Sequence, residues 1–144
     1  MSPIPDREPD SDVERLYEAP KFILEQEVWK WLEEGAVGHL EAYVWTDKGE
    51  GLQLRASVTK GNLKIVLTCR RTQLVRKWDS HDGHRNPGGE LVSGSHKHYP
   101  TKTHPNGEFA YPTPDVPDTD INDALLAFMS ECNIDLRTGF QRHF

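Results

Sequence analysis

Between His39 and Cys69 the chain alternates apolar and polar residues in three runs broken by glycine turns. Leu40, Ala42 and Val44 alternate with His39, Glu41, Tyr43 and Trp45. After Asp47-Lys48-Gly49-Glu50-Gly51 the pattern resumes at Leu52, Leu54, Ala56 and Val58, and after Lys60-Gly61-Asn62 it continues through Leu63–Cys69. Successive side chains of a strand point to opposite faces, so period two marks strands with one buried face. Tight glycine turns between such strands make them antiparallel neighbours. Gln73–Trp78 supplies a fourth strand, and short extended pieces are expected at His96–Tyr99 and Glu108–Tyr111.

Helical periodicity flanks this meander. From Lys21, the residues Leu24, Val28, Trp31 and Leu32 fall on one helical face, and Gly35 is a natural stop. Near the C-terminus Ile121, Ala124, Leu125, Phe128, Met129 and Cys132 recur at helical spacing, with Asp118 or Thr119 placed to cap and Asp120 and Asp123 suited to the positive end of the dipole. The expected fold is α+β: an antiparallel sheet of four to six strands with an N-terminal and a C-terminal helix packed on it. Residues 1–12 hold three prolines and little that packs, so they read as a disordered acidic arm before a single domain over 13–144.

With 144 residues such a domain buries a core without disulfides. The two cysteines, Cys69 and Cys132, fall in a strand and on an apolar helical face, where a reduced thiol packs as a small hydrophobe. There is no apolar run long enough for a transmembrane helix and no secretory signal at the acidic N-terminus, so the expected compartment is the cytoplasm. The net charge of −6 is unevenly spread. Residues 1–34 carry ten acids against four bases, whereas residues 48–104 carry eleven bases against four acids. A basic middle between acidic ends can attract phosphates, although Lys and Arg are also ordinary residues for the solvent face of strands.

Five of the seven histidines, His81, His84, His96, His98 and His104, lie within 24 positions. His96 and His98 are two apart, so a strand points both to one face and Lys97 to the other. His84 on the preceding loop can supply a third imidazole. Three readings follow. In the first, the imidazoles are general base and acid on an RNA 2′-hydroxyl and leaving oxygen, with no cofactor, and Lys97, Arg85 or Arg76 neutralises the phosphate while Tyr99 donates a hydrogen bond or stacks. In the second, His84, His96 and His98 bind zinc or another divalent ion, with Asp79 or Asp82 as a carboxylate ligand. In the third, the histidines and asparagines stitch a long loop to the sheet. His39 and His143 lie outside the cluster and read as ordinary surface or strand residues.

Four patterns are specific in combination: His84-x-Asn86-Pro87-x-Gly89-Glu90, then Gly94-x-His96-x-His98, then Phe109-Ala110-Tyr111-Pro112, and Phe128-x-x-x-Cys132-Asn133-Ile134. On these residues the stretch from about Leu74 to Ile134 resembles an uncharacterised family of small bacterial proteins of unknown function. The resemblance implies a strand, a turn and an H-x-H strand in that order, and it singles out the histidines as a site. Tyr99 keeps the family's aromatic after the second histidine, whereas Pro100 should end the strand early. The histidine-rich stretch also looks like that of TumE-type toxins, which are paired with helix-turn-helix antitoxins, and that likeness implies a nucleic-acid-directed role.

The expectation is therefore a small toxin-like or defence-associated bacterial or phage protein that acts on RNA. His84, His96 and His98 would be the acid–base set, with Arg85, Asn86, Lys97, Tyr99 and Arg76 at the RNA. The alternative is a non-catalytic module that binds a protein, such as an inhibitor of a host system or the partner of a toxin. The acidic ends suit that class.

Overall fold

The computed structural model describes residues 11–24, 26–34, 38–59, 62–80, 84–92, 94–112 and 121–136. Helix α1 (Ser11–Glu18) is followed by strand β1 (Lys21–Ile23) and helix α2 (Gln26–Glu34). The meander comprises β2 (His39–Thr46), β3 (Gly51–Thr59), β4 (Asn62–Cys69) and β5 (Gln73–Asp79). Then come β6 (His84–Arg85), β7 (Leu91–Val92), β8 (His96–His98), β9 (Ala110–Pro112), helix α3 (Ile121–Glu131) and β10 (Ile134–Leu136).

Eight strands make one sheet in the order β10-β1-β2-β3-β4-β5-β8-β9, and β6 and β7 pair separately. Every described pair is antiparallel except β1 with β10. The inner face carries Leu40, Ala42, Val44, Leu54, Ile65 and Leu67, all buried in one core with Val13, Leu16, Val28, Trp31, Leu125 and Phe128 of the helices. The Trp78 and Phe128 rings meet edge to face at 5.3 Å, which fixes α3 against the sheet. His39, Glu41, Tyr43 and Trp45 point the other way and are exposed.

The meander, β8, β9 and α3 match the sequence expectation; the β10–β1 edge of the sheet does not. The large sheet has eight strands rather than four to six, because three-residue strands at its margins are too short to show a period. Lys21–Ile23 is one of them. The helix begins at Gln26 instead of Lys21, and Leu24 is 51% exposed rather than on its apolar face. The backbone of β1 is held by β2 on one side and β10 on the other, and this non-local pairing overrides the helical spacing. Helix α1 was not anticipated. It starts at Ser11, inside the segment read as an arm, and Asp12 bonds to Arg15 at 3.2 Å and to Arg70. The rest of that arm, and the expected caps Asp118 and Thr119, lie outside the described residues.

Lys21 explains how α1 ends without a glycine. Its Nζ donates to the carbonyls of Leu16, Tyr17 and Ala19 at 2.6, 2.7 and 2.7 Å. Those are carbonyls that a helix C-terminus leaves without backbone partners. The ammonium is almost fully buried in doing so.

Candidate functional site

Strand register brings the histidines together. Asp79 stands opposite His96, and Lys77 opposite His98. Directly opposed residues share a face, and Asp79 and Lys77 in turn pair with Lys64 and Val66 of β4. These residues therefore lie on the outer face, away from α3. Lys97 opposes Trp78 on the inner face. Its Nζ bonds Glu131 at 2.6 Å and sits 4.8 Å from the Trp78 ring.

The β6–β7 hairpin adds His84. The H-x-N-P-x-G-E segment is its turn: the Asn86 N–H donates to Glu90 O at 2.7 Å and the Gly89 N–H to Asn86 O at 2.8 Å. Gly89 has φ +93°, a conformation that costs glycine little. The buried Asn86 side chain acts as a short stretch of ladder. Its Oδ1 accepts from Ala110 N–H at 2.7 Å, and its Nδ2 donates to Ala110 O at 3.0 Å and Glu90 Oε1 at 3.1 Å. Asn86 thus fixes the hairpin to β9.

The three imidazoles form a compact group. Ring centroids are 4.7 Å apart for His84 and His98, 4.9 Å for His96 and His98, and 6.2 Å for His84 and His96. Each ring has one nitrogen on a backbone carbonyl: His96 Nδ1 on Gly94 O at 2.8 Å, His98 Nδ1 on Gly107 O at 2.8 Å, His84 Nε2 on Glu108 O at 2.6 Å. A carbonyl only accepts, so each of these nitrogens carries the proton and the opposite nitrogen of the neutral ring keeps its lone pair. Burial pushes the His98 imidazole down to about 4, so it is neutral near pH 7.

The carboxylate of Asp79 completes the group. Its Oδ2 lies 3.9 Å from His96 Nε2, while its buried Oδ1 has no hydrogen-bond partner among the described residues. One ligand atom from each of Asp79, His96 and His98 falls within 4.8 Å of the others, and all three residues are buried. The cluster can hold a metal ion. His84 adjoins it without being one of the three converging residues. Asp82, the other carboxylate considered, lies outside the described residues.

The remaining expected site residues lie apart from the histidines, although Arg76 and Tyr99 meet, the guanidinium carbon 5.3 Å from the Tyr99 ring centroid. Arg76 is buried on the inner side, ion-paired to Glu14, its guanidinium carbon 3.6 Å from the centroid of the Tyr17 ring. Tyr99 stacks on Tyr111 at 4.6 Å. Arg85 donates to Gly89 O at 2.8 Å within its own hairpin. Gly94 stands in the sequence pattern and Gly107 in a turn, but only the fold shows that their carbonyls orient His96 and His98. Both have positive φ, and the legible signal was a glycine two positions before His96 and the Pro105-Asn106-Gly107 turn.

No curated protein and no solved structure matches the chain significantly. A family model matches residues 9–134, which spans both the histidine cluster and the meander, so the chain belongs to DUF6978, a family of unknown function.

Proposed function

We propose that the protein is a divalent-metal hydrolase of phosphodiester bonds, in which Asp79, His96 and His98 hold one ion of the zinc class. The observation that carries this reading is the buried Asp79 Oδ1 without a partner among the described residues, beside two imidazoles that each bring a ring nitrogen within 4.8 Å of the carboxylate. A buried carboxylate oxygen left unsatisfied is costly, and a bound cation relieves that cost. The backbone carbonyls on the far nitrogens of His96 and His98 are the outer-shell partners that metal-ligating histidines usually have.

The donor set has nitrogen and oxygen and no thiolate. Structural zinc sites are mostly cysteine-rich and closed, whereas three nitrogen and oxygen ligands leave a position for water, whose acidity the ion raises. Metal-assisted hydrolysis is therefore the reaction class, and the likeness to nucleic-acid-directed toxins points to RNA as its substrate. Metal-free acid–base catalysis draws less support. The Nδ1 protons of His96 and His98 are engaged by the backbone, so neither ring has that proton free to give.

The test is elemental analysis of the untagged protein, with melts and RNA cleavage measured before and after chelation. About one ion per chain, a melt lowered by chelation and cleavage restored by zinc support the reading. A metal-free protein whose melt ignores both chelator and zinc makes the imidazoles structural stitches. A metal-bound protein that never cleaves RNA retains the centre and loses the hydrolase.

A further inference from the structure

The outer face holds a second constellation, separate from the histidines. Tyr43 and Trp45 project from it on β2, 58% and 39% exposed. The benzo ring of Trp45 lies over Gly51, where a Cβ would come within 3.1 Å of it. A cavity of about 280 Å³ opens here, lined by Tyr43, Trp45, Gln53, Thr68, Arg70 and Arg71 among others. Thr68 is only 9% exposed, and its hydroxyl is buried without a hydrogen-bond partner among the described residues. A buried hydroxyl left without a partner, on a residue that lines an aromatic cavity, is a polar group that a ligand can satisfy.

The charges lining the cavity are the two arginines Arg70 and Arg71, with Glu41 and Asp12 paired to neighbouring arginines. Arg70 and Arg71 form the tip of the β4–β5 hairpin, both in the left-handed region at φ 49° and 73°. Such positions usually take Gly or Asn, so two arginines there are held at a conformational cost. Arg70 is bound to Asp12, and Arg71 is exposed. One row along the face, the register aligns Glu41, Arg55, Val66, Lys77 and His98 on successive strands, with Arg55 ion-paired to Glu41 at 3.4 Å. At about 4.8 Å per strand, that row crosses about 14 Å from Arg55 to the histidine cluster.

We propose that this cavity binds one base of a single-stranded nucleic acid, stacked on Trp45 and Tyr43 with its edge hydrogen-bonded to Thr68. Arg71 contacts the adjoining phosphate, and Arg55 and Lys77 carry the backbone across the sheet. Exposed aromatics on a sheet face beside basic residues are the standard chemistry for holding unpaired bases. A duplex, with its bases stacked inside, cannot fill the cavity.

The experiment is fluorescence anisotropy with a labelled ten-nucleotide RNA, its DNA counterpart and the RNA duplex, all in the presence of chelator. Chelation separates this surface from the metal centre, since failure of either leaves the other measurable. The expected result is binding of the single strands, weakening with salt, and none of the duplex. Trp45→Ala should weaken it about 5- to 150-fold, the range for losing one base stack. Thr68→Val should weaken it at least twofold while leaving the melt unchanged or raised, which a merely structural role for the hydroxyl does not give. No binding by the wild-type chain overturns the proposal and turns the patch toward a protein partner. Binding that Arg71→Ala weakens but Trp45→Ala and Thr68→Val do not overturns it as well, leaving charge attraction alone.

Discussion

Asp79 on β5 and His96 on β8 face each other across one antiparallel pair, and the carboxylate Oδ2 stands 3.9 Å from the imidazole Nε2. That gap is too long for a hydrogen bond and suits two ligands converging on a shared ion. The other carboxylate oxygen has no hydrogen-bond partner among the described residues. The free energy of this pair therefore depends on what sits between them.

Asp79→Asn separates the two states of the site. In chelated protein the variant should be more stable than wild type by about 1–3 kcal/mol, because it removes a buried unsatisfied charge. Zinc should then raise the wild-type melt and leave that of the variant unmoved, since only a binding-competent native state gains from ligand. Matched thermal melts with and without zinc check both arms, and a variant that zinc stabilises as well as wild type refutes the ligand role.

Acid should destabilise the chelated protein through His98. Its folded-state pKa is held near 4 by burial, below the ordinary 6.5, so on acidification the unfolded chain takes the proton first. Stability is full above pH 6.5 and falls as the pH drops toward 4, by up to about 3 kcal/mol. Urea titrations at pH 7.5, 5.5 and 4.5 measure this, and His98→Asn should flatten the slope by the same amount. An unchanged slope in that variant assigns the acid sensitivity elsewhere.

Gly107→Ala tests the orientation of His98. A Cβ there would run into Leu74 Cδ2, at φ +72°. Strain and overpacking together should cost about 2–3 kcal/mol. Because the Gly107 carbonyl holds the His98 Nδ1 proton, zinc affinity should drop about tenfold or more. Gly49→Ala, away from the cluster, supplies a control: its φ is +85° and its Cβ meets nothing within 4 Å, so it carries backbone strain without the clash. Isothermal titration of both variants measures the affinities, and wild-type affinity in Gly107→Ala excludes the orienting role.

Asn86→Ala should destabilise the fold by about 3 kcal/mol, since it leaves both backbone groups of Ala110 without their side-chain partner. It should also loosen β9 and expose the His98 face, seen as faster amide exchange at Ala110. A loss below about 1 kcal/mol would show that the hairpin is anchored by other contacts.

The sequence by itself determined the meander, its buried face and the last helix. Period two over His39–Cys69 and the helical spacing of Ile121–Cys132 are local signals repeated often enough to outweigh noise. It also put His96 and His98 on one face, because a two-residue spacing on a strand allows nothing else. The other decisions were tertiary. Lys21–Ile23 became a strand only through pairing with Ile134–Leu136, more than a hundred residues away. Arg76, Lys97 and Tyr99 share the basic, histidine-rich stretch in sequence. In the fold Arg76 turns to Glu14, Lys97 to Glu131 and Tyr99 to Tyr111. Asp79 reached His96 across 17 residues because β8 docked on β5, a long-range contact that no local period encodes.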